Sequence, residues 1–394
     1  MSEGAHPQKS SLLELARVFL GLGTLAFGGP AAHIAMMERE FVRQRAWFTH
    51  EEFVDMIGAA NLIPGPSSTE VAIFVGLRRA GILGLVLAGV CFILPAALLV
   101  TLIAWAYVRF GQLPSFHSAL YGVKPVVVAI IAQAIALLAI KVMDAWPKRL
   151  ALAACACLAW LGASAIILLV GGGLLLGANA LRTERSFRSA APLATLVAGV
   201  AAIAVVPLIV VALQRGPTAA TPVAVFIYFL KLGSVLYGSG YVLLAFLDRD
   251  LVAGLHWLTR GQMLDAVAVG QFTPGPVFTT ATFVGFVLAG PMGAVAGTVG
   301  IFLPTFLFVA IAGRMLPRLR AAPVSAGFLD GVNAAALALM GFVLVRLAID
   351  AVRDVPSAAI ATLSLVVLLR FRVNSPWLIL VGALIGIGIR LAAR

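Results

Sequence analysis

Two Pro-Gly-Pro triplets, Pro64-Gly65-Pro66 and Pro274-Gly275-Pro276, interrupt apolar stretches that are otherwise about long enough to cross a bilayer. Proline lacks a backbone donor and clashes with the preceding helical turn, and it pushes the residue before it out of the helical region. Gly65 and Gly275 leave the chain free to bend between the prolines. Neither stretch can be one straight helix. Each must be two half-helices meeting at a break.

Composition settles the solvent around those breaks. The chain is 62% hydrophobic and 11% charged, with mean hydropathy +1.06, whereas soluble domains carry about a quarter charged residues. Apolar windows of about 20 residues recur from end to end, and the strict alternation of a β-barrel is missing. The chain therefore reads as an all-α polytopic membrane protein. The net charge of +12 then reads as basic loops anchoring a membrane protein, and not as a nucleic-acid surface. Met1–Ser10 is polar and has no cleavable-signal pattern, so the first helix is expected to stay. Cys91, Cys155 and Cys157 lie in apolar helices and read as small core residues, with no disulfide framework or metal site. The sequence lacks a phosphate-binding P-loop, a G-x-S-x-G elbow and an H-E-x-x-H pair. It has no ATPase motor of its own, no enzyme chemistry is expected, and no cofactor is implied. Energy must come from ion or membrane gradients.

The chain repeats itself. Leu22-Gly23 matches Leu232-Gly233, Trp47-Phe48-Thr49 matches Trp257-Leu258-Thr259, Asp55 matches Asp265, and the two Pro-Gly-Pro triplets match, all at an offset of 210. One residue is then lost: Ile93-Leu94-Pro95 matches Phe302-Leu303-Pro304, and Gly122-Val123-Lys124 matches Gly331-Val332-Asn333, at an offset of 209. A constant offset through three helices marks an internal duplication. The polar link Arg182–Ser189 is the boundary, giving a first repeat over 1–190, a linker transmembrane helix over 191–213 and a second repeat over 214–394.

If each broken helix crosses the membrane, each half has about six spans and the linker adds another, about 13 in all. Re-entrant breaks lower the total toward about 10. With the N-terminus inside, inner loops hold fourteen Lys and Arg, Arg249 and Arg260 among them, against six outside, as the positive-inside rule asks. The exception is the outer group Arg39, Arg43 and Arg45, which also fits a helix lying in the interface. An odd linker crossing between even halves makes the halves inverted, the arrangement of secondary transporters whose sites lie on discontinuous helices near the midplane.

After each Pro-Gly-Pro a new half-helix starts, with unpaired N–H groups and the positive end of its dipole. That is an anion site in waiting. Ser67, Ser68 and Thr69 add hydroxyl donors to the first break, Thr279 and Thr280 to the second, and Asn61 and Gln271 stand three residues before each first proline. Facing each other across a pseudo-two-fold axis, Pro64-Gly65-Pro66 and Pro274-Gly275-Pro276 with these donors would cage a tetrahedral oxyanion. Lys231, mid-span, and Lys124, near a helix start, can each offer positive charge to a dianion; Lys124 also fits snorkelling to the interface. Glu70 has Thr280 as its counterpart. As a carboxylate it would repel an anion, so its protonation can couple proton and anion movement; an ion pair with Arg78, Arg79 or the other half is the competing role. His33, after Gly28-Gly29-Pro30, is a third coupling candidate, or an interfacial histidine.

Phe27-Gly28-Gly29-Pro30-Ala31-Ala32-His33-Ile34, Leu62-Ile63-Pro64-Gly65-Pro66, Arg79-Ala80-Gly81 and Phe92-Ile93-Leu94-Pro95 closely resemble the chromate ion transporter family. Phe229-Leu230-Lys231-Leu232-Gly233, Tyr237-Gly238-Ser239-Gly240-Tyr241, Gln271-Phe272-Thr273-Pro274-Gly275-Pro276 and Gly331-Val332-Asn333-Ala334-Ala335 continue the likeness through the second half. The resemblance, to the long two-domain members, implies a multi-pass carrier of the bacterial inner membrane that expels chromate using the proton-motive force. Its partners would be chromate or the similar sulfate, protons and lipid; a homodimer is left open. Import or exchange of sulfate or another oxyanion is the competing reading, and a non-transporting sensor or scaffold a third.

Overall fold

The computed structural model describes residues 10–27, 29–61, 63–111, 113–183, 219–236, 242–319, 323–371 and 373–392. Among these the chain is helical with no strand. The linker expected over 191–213 and the Tyr237–Tyr241 motif lie outside the described residues. The first repeat contains α1 (Leu12–Leu25), α2 (Gly29–Glu38) running into a π-turn (Arg39–Gln44), α3 (His50–Ala60), α4 (Ser67–Phe110), α5 (Pro114–Val142), α6 (Trp146–Trp160) and α7 (Ala165–Thr183). The second contains α8 (Pro222–Val235), α9 (Val242–Phe246) with a π-turn (Leu247–Gly254), α10 (Arg260–Phe272), a 3-10 turn (Val277–Thr279), α11 (Thr280–Leu319), α12 (Pro323–Ala351), α13 (Val355–Phe371) and α14 (Ser375–Ala392).

Local chemistry repeats with the sequence. Thr49 starts α3 with a capping box closed by Glu52, and Thr259 starts α10 with one closed by Gln262, each satisfying two donors at a helix start. Ala46 and His256, also 210 apart, both take left-handed backbone, at φ 49° and 54°. α4 is 44 residues long, about 66 Å if straight, twice the hydrocarbon thickness of a bilayer. It is not straight. Ala80 and Gly81 leave helical geometry, with Gly81 at φ 63°, and Ala289 and Gly290 do the same inside α11, with Gly290 at φ 64°. At each turn the chain doubles back. Gly76 lies backbone to backbone against Gly84, and Gly285 against Gly293, with no room for a β-carbon.

Where the short helices begin decides how they enter. Arg79, at the end of the first limb of α4, donates to Ser10 Oγ at 2.9 Å and lies 4.8 Å over the Trp47 ring; Arg45 pairs with Glu14 at 2.9 Å. The start of α1, the turn before α3 and the end of that limb therefore share one end of the molecule. Residues 12–45 go in and come back, and so do residues 50–79. Of the two readings of the Pro-Gly-Pro segments, this geometry fits a helical hairpin that turns at the break itself, between α3 and Ser67, and Gly81 then turns the chain into the second limb of α4.

The second limb, 82–110, is about 43 Å long and reaches the opposite end. There Tyr107 donates to Asp265 Oδ2 at 3.0 Å and Lys124 lies 3.6 Å from Asp265 Oδ1. Asp265 is in the second turn of α10, so α10 enters from this far end, whereas α3 enters from the Arg79 end. Arg260, bridging Asp248 and Asp350 at 3.3 Å each, and Arg249, which donates to the carbonyls of Gly162 and Ala163, also sit here. Both belong to the end opposite the one expected, and Arg39–Arg45 likewise change ends.

Among the described residues, five stretches are long and apolar enough to cross a membrane: Ser67–Phe110, Ser118–Ile140, Val277–Ile311, Gly327–Ala351 and Ser375–Ala392. Their outward faces carry exposed Leu83, Leu98, Leu102, Ile311 and Leu384, an apolar surface that a soluble monomer avoids on this scale. Inside, Phe19, Met37, Phe41, Phe53, Phe74 and Phe92 pack the short helices of the first repeat. A larger cluster joins α5 to the second repeat.

Candidate functional site

The two breaks meet in the interior, and each is tied to the other repeat. Gly65 N donates to Leu236 O at 2.6 Å, and Gly275 N donates to Ala26 O at 2.8 Å. Leu236 and Ala26 are the C-caps of α8 and α1. Both bonds are the same bond under the 210-residue offset, with the repeats exchanged. That reciprocity is the signature of a two-fold relation. Gly65 and Gly275 take φ values of 142° and 89°, which only glycine adopts without strain.

Around the first break Ser67, Ser68, Thr69 and Glu70 are all buried, as are Gln271, Thr273, Thr279 and Thr280 around the second. The structure therefore assembles the hydroxyl residues expected from sequence, but it has already engaged several of their protons. Thr279 Oγ1 donates to Pro276 O and Thr280 Oγ1 to Val277 O, both at 2.8 Å. The amides of Thr69 and Glu70 bond back to Pro66 O. Ser68 Oγ lies 3.2 Å from His33 Nδ1. His33 Nε2 is 3.0 Å from Ala26 O; a carbonyl only accepts, so Nε2 carries the proton, and the neutral ring accepts the Ser68 hydroxyl at Nδ1. A continuous chain runs from Ser68 through His33 to Ala26 O, where Gly275 N also donates. His33 is thus an interior link between the two breaks, and the reading of it as an interfacial residue fails.

Two hydroxyls and one carboxyl stand out. Thr69 Oγ1, Thr305 Oγ1 and both Glu70 carboxyl oxygens are buried without a hydrogen-bond partner among the described residues. A β-carbon placed on Gly65 would lie 2.5 Å from Glu70 Oε1 and 2.7 Å from Thr305 Oγ1, so both groups crowd the same glycine from different repeats. Glu70 forms no ion pair with Arg78 or Arg79: Arg79 is turned to Ser10 and Trp47. Thr305 was not singled out from sequence. The signal was present in the Ile93-Leu94-Pro95 and Phe302-Leu303-Pro304 match, which sets Thr305 opposite Ala96.

Three expected residues have other roles in this structure. Asn61 is the C-cap of α3 and is exposed. Lys231 is buried and sits 4.0 Å from Asp250 Oδ2, an ion pair of the second repeat. Lys124 belongs to the far end, where it lines a cavity of about 540 Å³ with Tyr121, Arg260, Asp350 and Arg353. No metal-binding group of His, Cys, Asp and Glu occurs among the described residues.

Known proteins agree with this duplication. The family described as chromate transporter matches twice, over residues 13–178 and 223–387, starting 210 residues apart. The chain is 34% identical over 391 residues to a chromate transport protein of Cupriavidus metallidurans, covering 96% of this chain and 93% of that one. It is 35% identical over 368 residues to a chromate transport protein of Pseudomonas aeruginosa, covering 90% and 86%, and 30% identical over 397 residues to a probable chromate transport protein of Synechococcus elongatus, covering 97% and 96%. No solved structure matches the chain. With both repeats matched and full-length relatives above 30% identity, the chain belongs to the chromate transporter family.

Proposed function

We propose that the protein is a secondary transporter that exports chromate across the bacterial inner membrane, driven by the proton-motive force, with the oxyanion held between the two broken helices. The observation that carries the reading is the reciprocal pair Gly65 N–Leu236 O and Gly275 N–Ala26 O, which ties each break, just before a helix N-terminus, to a helix C-cap of the other repeat. The relatives' names supply the guest. Helix N-termini favour anions. Of the hydroxyl donors, Thr69 Oγ1 has no partner to leave among the described residues, and Ser68, Thr279 and Thr280 are released from their present acceptors as the anion enters.

In this reading the halves are inverted repeats, 1–190 and 214–394, joined by a crossing over 191–213. Each contributes two re-entrant hairpins and four crossings, the second limb of α4 with α5–α7 and the second limb of α11 with α12–α14. With the linker the total is nine, and the N-terminus is cytoplasmic. Moving Arg39, Arg43 and Arg45 inside and Arg249 and Arg260 outside changes the loop balance from fourteen against six to fifteen against five, which fits the positive-inside rule better. Export suits the charge of the cargo. One charge crossing 100 mV is worth about 2.3 kcal/mol, so a dianion leaving an inside-negative cell gains about 4.6 kcal/mol per 100 mV.

Flux of radiolabelled chromate and sulfate in reconstituted vesicles, at imposed pH gradients of either sign, tests the proposal. Gradient-dependent chromate movement is expected, and expressing cells should accumulate less chromate. A strong preference for sulfate would replace the substrate, and absence of any flux would remove the transport reading.

A further inference from the structure

We propose that Glu70 of the first repeat and Thr305 of the second form a single proton-binding site, so that one proton travels with each oxyanion. The inference rests on the transport reading above and deepens it. Both groups are fully buried, Glu70 and Thr305 alike at 0% exposure, and none of their side-chain oxygens has a hydrogen-bond partner among the described residues. Their distances to the same point beside Gly65 bound the separation of Glu70 Oε1 and Thr305 Oγ1 at 5.2 Å. A small rotation brings a carboxylic O–H onto the threonine oxygen.

An ionised carboxylate here would be a buried charge with no counter-ion, the arrangement that proteins avoid. The titratable group facing the same helical turn is His33 of α2, held on Ser68 and Ala26. On α1 and α3, Glu14 is paired with Arg45 and Glu52 is folded back on Thr49 at the Arg79 end, and α11 presents Thr305. A neutral acid satisfies the site; an incoming dianion beside it reinforces that state, because like charges at one break repel. Proton and anion therefore bind together.

The site exists once. The counterpart of Glu70 is Thr280, whose hydroxyl is bonded to Val277 O, and the counterpart of Thr305 is Ala96, whose β-carbon faces Gly275. The second break has neither the acid nor the facing hydroxyl. One proton per dianion leaves one net negative charge moving, so the membrane-potential part of the proton-motive force drives the loaded carrier outward with half the gain of a bare dianion, while the pH part opposes it. Because Glu70 and Thr305 come from different repeats, any movement of one repeat against the other opens the pair and exposes the acid for proton exchange.

The test uses the full chain in vesicles with the membrane potential clamped at zero by potassium and valinomycin. The steady chromate ratio should change about tenfold per unit of pH gradient, and Glu70→Gln should abolish that dependence. A dependence of about a hundredfold per unit, one retained in Glu70→Gln, or accumulation driven by a sodium gradient at equal pH would overturn the proposal. Thr305→Ala should shift the pH midpoint of transport by about one unit with the slope unchanged, and Thr305→Ser should restore it; an unmoved midpoint removes Thr305 from the site. Infrared difference spectra of the purified protein provide a readout without chromate. A protonated-carboxyl band that titrates in the wild type and is missing in Glu70→Gln supports the site even if sulfate proves to be the cargo, and an unchanged band refutes it.

Discussion

Gly275→Ala probes the packing of the two repeats at its tightest point. Gly275 holds φ at 89°, and a β-carbon there would lie 2.6 Å from the Ala96 β-carbon, about 1 Å inside ordinary carbon contact. The left-handed backbone costs an alanine about 1–2 kcal/mol, and overpacking a rigid core adds about 1–3 kcal/mol, so the single substitution should destabilise by about 2–5 kcal/mol. Ala96→Gly removes the clashing methyl at the ordinary helical cost of about 1 kcal/mol. In the double variant the clash term vanishes and the backbone term stays. The two changes should therefore couple favourably by about 1–3 kcal/mol, read from unfolding by denaturing detergent in mixed micelles. Additivity within about 0.5 kcal/mol would show that residues 96 and 275 do not touch and that the repeat interface is drawn wrongly. The mirror change, Gly65→Ala, meets the movable ends of Glu70 and Thr305 instead and should disturb pH coupling more than folding.

The remaining expectations concern local links. Ser68→Ala should weaken chromate binding about 3- to 10-fold, the worth of one neutral hydrogen bond, whereas His33→Ala only removes the acceptor that Ser68 must leave; titration calorimetry should find binding not weakened in His33→Ala and the double variant no weaker than Ser68→Ala. Gly81→Ala and Gly290→Ala meet no neighbour within 4 Å but force alanine to φ 63° and 64°. Each should lose about 1–2 kcal/mol of stability, and a difference above about 1 kcal/mol would break the equivalence of the two turns. In a cysteine-free background, Ala46→Cys and Ile82→Cys should react with an impermeant maleimide from the cytoplasmic side and His256→Cys from the outer side. Labelling of the first two from opposite sides would refute the re-entrant hairpin.

The sequence was informative where chemistry is carried by residue type. Proline and glycine declare a break whatever surrounds them, and a duplicated break at constant offset locates both partners of a two-fold site. It was silent where the outcome depends on approach. Pro-Gly-Pro announces a break, yet whether the chain crosses or turns back there depends on where each half-helix packs, and the apolar pattern does not carry that. Lys124 fits both a charge for a dianion and an interfacial lysine in sequence, and only the fold brings Asp265 to it from the other repeat. The same holds for Glu70, whose neighbours in the chain suggested an arginine partner, whereas the fold turns Arg79 away to Ser10 and brings Thr305 instead. The duplication itself points to what matters most. Two repeats held together by identical backbone bonds would, if chemically identical, have two equivalent sites and no preferred place for a proton. Replacing Thr280 and Ala96 by their counterparts Glu70 and Thr305 breaks that equivalence at one break only. In the proposed mechanism the backbone symmetry supplies the shared anion cage, and the side-chain asymmetry supplies the coupling.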